Sequence, residues 1–240
     1  MLRERKTSGL PIIVGVTGHR DLRTEDASTL AAAVEAIFQR LERDYPSTPL
    51  LVLTPLAEGA DCLVAEVALR RAISYRVAMP LPLESYREDF TTASSRATFE
   101  RLLAAADGAP YHIPLLPGND DQNMRDETRR AQQYASLGAH LARVSHVLIA
   151  LWDGLPSESI GGTAQIVRFR VLGAPKRYLS KSSVIDAPET GPVHHIYASR
   201  ASAEPRRAVG FTCLRVRRER TRDGACAIPT NVQQADDLID

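Results

Sequence analysis

Thr17, Gly18, His19 and Arg20 place four kinds of chemistry in one short stretch, "VGVTGHRDL" (14–22), directly after an apolar run. A glycine there lets backbone amides come close to a ligand. Thr17 can hydrogen-bond a phosphate or a ribose, Arg20 can grip a phosphate bidentately, and His19 can stack on a base or donate to phosphate. The competing reading is a tight chain connection with His19 and Arg20 in solvent. A second polar set follows a second apolar run in "PLAEGAD" (55–61). Glu58 stands in the loop, where it can accept from ribose hydroxyls. Gly59 follows, and Asp61 falls at a helix start, where capping the helix competes with holding a ribose. The third set is "ALWDGLPSESIGGTAQIV" (150–167). Its apolar run ends in Trp152, Asp153 and Gly154, and a helix opens on Gly161, Gly162 and Thr163. Paired glycines at a helix start free backbone amides to face an anion, and Thr163 adds a hydroxyl. Asp153 can take a ribose hydroxyl, and Trp152 can stack on a base or pack in the core. In "LPLESYREDF" (81–90), Arg87 is a candidate phosphate clamp and Tyr86 a stacking surface, against the alternative of a solvated loop.

These residues need a frame that brings them together, and the apolar pattern supplies one. "IIVGV" (12–16), "LLVLTPL" (50–56), "YRVAMPLP" (75–82), "YHIPLL" (111–116), "HVLIALW" (146–152) and "VHHIYAS" (193–199) are short, β-branched runs without polar alternation. That is the pattern of strands buried on both faces. Between them, Leu30, Val34, Ile37 and Leu41 recur at helical spacing over about 26–43, and Phe99, Leu102, Leu103 and Ala106 over about 94–106, capped by Ser94 or Ser95. A further helix ends near Arg143. Strands alternating with helices predict an α/β fold: a Rossmann-like three-layer sandwich around a mainly parallel sheet of five to seven strands. Ligands of such sheets sit beyond the carboxyl ends of the strands. The polar loops after strands one, two, three and five are therefore expected to converge on one edge.

Several function classes drop out. No G-x-G-x-x-G follows the first strand, which disfavours an ordinary NAD-dependent dehydrogenase, and there is no P-loop signature. A G-x-S-x-G nucleophile elbow is absent. Neither H-E-x-x-H nor a Cys/His cluster points to a metal, and His194 and His195 lie in a strand, where neighbours face opposite ways. The three cysteines, Cys62, Cys213 and Cys226, are widely spaced, which fits a reducing cytoplasm better than a disulfide framework. The start of the chain lacks a signal-peptide pattern, and no run reaches membrane-spanning length. A formal net charge of +1 gives no general attraction to nucleic acid or acidic membranes. From Arg200 the character changes: residues 200–222 carry eight Arg and two acidic residues. The expected organisation is a domain over 1–199 and an Arg-rich, poorly packed tail or linker over 200–240, with a nucleic-acid arm as the sharper alternative.

Taken in order, "GVTGHRDL", "LTPLAEGADCLVAEVAL", "MPLPLESYREDF", "SHVLIALWDG" and "GGTAQIV" resemble the SLOG superfamily of Rossmann-like domains over about residues 11–198. This superfamily includes the Lonely Guy-type phosphoribohydrolases and the single-strand-binding domain of DNA-processing protein A. The resemblance implies a nucleotide-type or ADP-ribose-type ligand held between the first-strand loop, the "EGAD" loop and the glycine-rich helix start, with no certain cofactor, and it makes a homodimer an expectation. Some members cleave an N-glycosidic bond, and others sense nucleotide-derived signals. The phosphoribohydrolases carry "PGG-x-G-T-x-x-E" at the helix start, whereas this chain has "IGGTAQIV", with Gln165 and Ile166 where a carboxylate is expected. An amide cannot stabilise an oxocarbenium-like state or activate water as a carboxylate does. The first expectation is therefore a cytoplasmic nucleotide- or NAD-derivative-binding sensor domain. The alternatives are a nucleotide N-glycosidase, with Glu58, Asp153 or Asp61 as catalytic carboxylate, and a module for single-stranded nucleic acid.

Overall fold

The computed structural model describes residues 9–120, 122–179, 190–203, 208–215 and 233–235. The apolar runs form strands β1 (Ile12–Gly18), β2 (Leu50–Thr54), β3 (Ser74–Met79), β4 (Tyr111–His112), β5 (Val147–Trp152) and β6 (Val193–Tyr197). Helices α1 (Ala27–Asp44), α2 (Ala60–Arg70), α3 (Leu83–Arg87), α4 (Ala93–Ala105), α5 (Glu127–Val144) and α6 (Thr163–Leu172) connect them. The fold is Rossmann-like. Two local differences have simple causes. α4 is capped two or three residues earlier than Ser94 or Ser95, because the Thr92 hydroxyl accepts the Ser95 amide at 3.0 Å. β4 stops after two residues, and its next amide, Ile113 N–H, still reaches the Met79 carbonyl; Pro114 has no N–H with which to extend the ladder.

All six strands pair in parallel, in the order β4-β3-β2-β1-β5-β6. Two more strands, β7 (Gly210–Arg215) and β8 (Gln233–Ala235), continue the sheet antiparallel beyond β6, which makes eight strands rather than five to seven. Both come from the segment expected to be a tail or linker. Its Arg-rich composition hides a strand in which Phe211 stacks on His194 at 5.7 Å.

Side-chain alternation along the strands sorts the core into layers. Val14, Val16, Val52, Val77, Ile149 and Leu151 face α1, α2 and α4, while Leu148, Ala150, Leu53 and Ala78 face α5 and α6. The chain runs outward on one side from β1 through β2, β3 and β4, then crosses back to β5 on the other side of β1. The point between β1 and β5 is where strand order reverses, and the carboxyl ends of diverging connections leave a crevice there. Among the described residues, no helix is long and apolar enough to cross a membrane.

Candidate ligand-binding cleft

Three chain segments meet at this crevice. The His19 amide donates to the Leu151 carbonyl of β5 at 3.0 Å, and the Ala60 amide of α2 donates to the His19 carbonyl at 3.0 Å. The loop after β1 is therefore pinned to both neighbours by its own backbone. The fit is close at Gly59, whose φ is +75°: a Cβ there would lie 2.4 Å from the carbonyl oxygens of both His19 and Arg20. Gly161 has φ +77°, and a Cβ there would lie 2.8 Å from the Tyr134 Cβ on α5. Gly59 lets the second polar loop close on the first, and Gly161 lets the third pack directly against α5.

The result is a cleft of about 240 Å³ at the carboxyl edge of the sheet. Thr17, Gly18, His19, Arg20, Asp61, Gly161, Gly162 and Thr163 line it, so residues separated by some 140 positions in the chain share one space. Glu58, Gly59, Arg87, Trp152, Asp153 and Gly154 do not line it. Arg87 is turned away and held by Glu100 at 2.7 Å and Glu84 at 2.6 Å. Tyr86, one residue earlier on α3, faces the cleft instead. Trp152 points to the opposite side of β5 from Leu151 and packs near the ring of His195, 5.3 Å away. Glu58 stands at the rim, 3.9 Å from the Arg20 guanidinium.

Asp153 is buried and already satisfied. One carboxylate oxygen accepts the Leu155 amide at 3.0 Å, and the other lies 3.1 Å from His19 Nε2 and 3.7 Å from Arg200 Nε. The Asp153 backbone amide also lies 3.2 Å from His19 Nε2. His19 is 2% exposed, so it is neither solvated nor free to stack. Burial and the Arg200 charge hold its pKa below the ordinary 6.5 against the pull of Asp153, which leaves the ring neutral at pH 7. Its work is to tie the end of β1 to the end of β5.

The glycine pair acts differently from the expectation. The Gly161 amide donates to the side-chain carbonyl of Gln165 at 2.7 Å, and the Gly162 amide donates to the Ser159 carbonyl at 3.2 Å. Gln165 thus folds back as a cap on its own loop. The helix start still offers the amides of Thr163 and Ala164, which the first turn of a helix leaves without intrahelical partners. The helix dipole adds to their attraction for an anion.

Asp61 carries the most perturbed carboxyl among the described residues. The N-cap of α2 is Gly59, and Asp61 is not used as a cap. It is 6% exposed, and burial pushes its pKa from 3.8 up to about 8, while a backbone hydrogen bond from Ala57 and the Arg20 charge oppose the rise. One of its oxygens, Oδ1, has no hydrogen-bond partner. Tyr86, fully buried, has an unpartnered hydroxyl whose pKa burial holds well above 10.

Two cleft residues escape the sequence patterns. Tyr134 lies on α5, inside a polar stretch that points to no ligand. Arg200 opens the segment read as a tail, yet its side chain reaches the cleft mouth through an ion pair with Asp21 at 3.0 Å. The Ala201 amide donates to the Asp21 carbonyl at 2.7 Å, which fixes the segment to the loop after β1. A β-bridge between Leu22 and Arg200 is the only signal that could have found it, and it has no sequence signature.

No known family model matches the chain, and no curated protein matches it. Among solved structures it is similar to DNA processing protein A from Streptococcus pneumoniae, with a TM-score of 0.37 and 14% identity over 58% of this chain. The match spans 41% of the length of that protein. Among the described residues, no group of three or more His, Cys, Asp or Glu is arranged to hold a metal ion.

Proposed function

We propose that this chain is a SLOG-type domain that binds a small nucleotide-derived ligand in the cleft between β1 and β5. The ligand phosphate sits against the Thr163 and Ala164 amides and the Thr17 hydroxyl, and Arg20 and Arg200 close on it from the mouth. The observation that carries this reading is the convergence of two half-exposed arginines, a buried threonine and a helix N-terminus on one cleft at the reversal point of a parallel sheet. Binding is favoured over N-glycosidic cleavage because Asp153 is engaged by His19 and the Leu155 amide, Glu58 is paired with Arg20, and burial holds Asp61 neutral, without the charge that would stabilise an oxocarbenium-like state. A nucleic-acid arm would draw on the Arg-rich 200–222 stretch, of which 204–207 and 216–222 lie outside the described residues.

Isothermal titration calorimetry with AMP and ADP-ribose tests the reading. At least one binds with a dissociation constant tighter than about 1 mM. Arg20→Ala and Arg200→Ala each weaken it by about 1.5–3 kcal/mol, the range for a hydrogen bond to a charged group. Arg87→Gln, outside the cleft, leaves it unchanged. Absence of binding by both ligands, or equal losses in all three variants, overturns it.

A further inference from the structure

The floor of the cleft contains three polar groups that the phosphate limb does not use. Asp61 Oδ1, the Tyr86 hydroxyl and the Tyr134 hydroxyl come from α2, α3 and α5, and all three lack hydrogen-bond partners. Asp61 and Tyr86 are more than nine-tenths buried. Buried polar groups in proteins are as a rule paired; these three orphans from three separate elements, with His19 Nδ1 as a fourth on the same cleft, mark a surface shaped for a polar guest. Packing fixes the rings. Tyr86 meets Phe90 and Phe99 edge-on at 5.4 and 5.7 Å, and its centroid lies 6.3 Å from that of Tyr134.

The chemistry of the floor selects the guest. Burial favours the neutral carboxyl of Asp61, a backbone hydrogen bond from Ala57 engages it, and Oδ1 is left without a partner, so a proton carried on Oδ1 is available to donate. Each phenol can donate one proton and accept another. An adjacent pair of hydroxyls offers two protons and two acceptor oxygens. It can accept from Asp61 Oδ1–H and exchange hydrogen bonds with both phenols. The cationic groups, Arg20 and Arg200, stand at the mouth, about half exposed.

We propose that Asp61, Tyr86 and Tyr134 form a subsite for an uncharged vicinal diol, the 2′- and 3′-hydroxyls of a ribose, with Asp61 acting as a hydrogen-bond donor. This rests on the nucleotide reading above and adds which part of the ligand lies deepest. It also makes binding sensitive to alkali. Arg20 faces Asp61 from the loop after β1 and Tyr86 from α3, and Tyr134 shares the cleft from α5; Asp89 lies beyond Tyr86 and Arg20, Glu58 precedes Asp61 in its own loop, and Cys62 is its neighbour on α2. Burial pushes Cys62 to about 12 and Tyr86 well above 10, and Asp61 itself titrates near 8. Above that point the floor holds a carboxylate without a proton to donate.

Calorimetry at pH 7 with AMP, 2′-deoxy-AMP and 3′-deoxy-AMP tests the subsite on the unaltered protein. Each missing hydroxyl weakens binding about tenfold, or about 1.4 kcal/mol. Tyr86→Phe keeps the ring packing, lowers AMP affinity about tenfold and narrows the gap between AMP and its deoxy analogues. Between pH 7 and 9.5, AMP affinity of the wild type falls about thirtyfold as the competent neutral fraction falls. Asp61→Asn, which keeps a donor, shows no such fall. If AMP binds and both deoxy analogues bind equally well, the diol subsite is overturned and the phosphate reading stands. If Asp61→Asn retains the full alkaline loss, Asp61 is not the donor. If none of the three nucleotides binds while ADP-ribose does, the subsite for a mononucleotide diol is overturned and the phosphate reading stands; if ADP-ribose fails as well, the nucleotide reading falls and this proposal with it.

Discussion

Replacing Asp61 by Asn should stabilise the protein, and by an amount that depends on pH in a defined way. In the native fold the carboxyl keeps its proton up to about pH 8, whereas an unfolded chain releases it near 3.8. The stability linked to Asp61 is therefore fully present below pH 3.8 and is lost as pH rises through the folded value. Each unit of that interval costs about 1.36 kcal/mol. Asn is a permanent stand-in for the neutral acid and escapes the cost. Its side-chain oxygen can still accept from the Ala57 amide, and its NH2 occupies the place of Oδ1. The variant should gain about 2 kcal/mol at pH 5, about 4 kcal/mol at pH 7 and about 5 kcal/mol or more above pH 8. For a domain of this size a gain of 4 kcal/mol corresponds to a rise in melting temperature on the order of 10 °C. Urea unfolding of both proteins at pH 5, 7 and 8, with the slope checked for constancy, measures it. A difference that stays flat across this range refutes the reasoning, because it would mean that Asp61 is ionised in the native fold. Four kcal/mol is a large share of the 5–15 kcal/mol that holds a typical domain together. A chain that retains a neutral, half-paired acid at that cost retains it for what the acid does.

Two further substitutions probe the frame around the cleft. Gly59→Ala forces a Cβ against the carbonyl oxygens of His19 and Arg20 at a φ of +75°, so it should cost at least about 2–3 kcal/mol by urea unfolding and weaken AMP binding as the β1 loop shifts; a silent variant would mean that this contact does not set the loop. Arg170 of α6 is buried and donates to the carbonyls of Ala142 at 2.8 Å and His146 at 2.6 Å, fastening the end of α5. Arg170→Met fills a similar volume but orphans both carbonyls, and should lower stability by about 2–4 kcal/mol with little change in AMP affinity in the folded fraction.

The frame was largely legible because burial on both faces leaves a mark on composition. β1, β2, β3, β5 and β6 are short β-branched runs, and their order with the intervening helices sets the parallel sheet. Convergence of Thr17–Arg20 with Gly161–Thr163 follows from that sheet alone, since both loops leave carboxyl ends of adjacent strands. β7 was not legible. It lies between β6 and the three-residue β8 on the outer side of the sheet, where one half-buried aromatic, Phe211, packs on His194 and the apolar run is too short to stand out. Tyr134 and Arg200 were not legible for a related reason: each reaches the cleft by tertiary packing, from a polar helix and from beyond the last parallel strand.

Composition also could not rank the acids. Glu58, Asp61 and Asp153 are carboxylates in loops or at a helix start beyond strand ends, and by type and position each is equally suited to a ribose. Partners distinguish them. Asp153 spends both oxygens on the Leu155 amide, His19 and Arg200, so it holds the end of β5 in place and has little left for a ligand. Glu58 shares the rim with Arg20 and competes with any phosphate for that guanidinium. Only Asp61 combines burial, a place on the cleft wall and an oxygen without a partner. The same accounting gives His19 Nε2 a scaffold role, leaves His19 Nδ1 without a partner on the cleft wall, and turns Gln165 from a defective catalytic residue into a loop cap. What the cleft offers a ligand is therefore the set of groups left over after the fold has satisfied itself: two amides at the start of α6, two arginines at the mouth, the free Nδ1 of His19, and a neutral acid with two phenols at the floor.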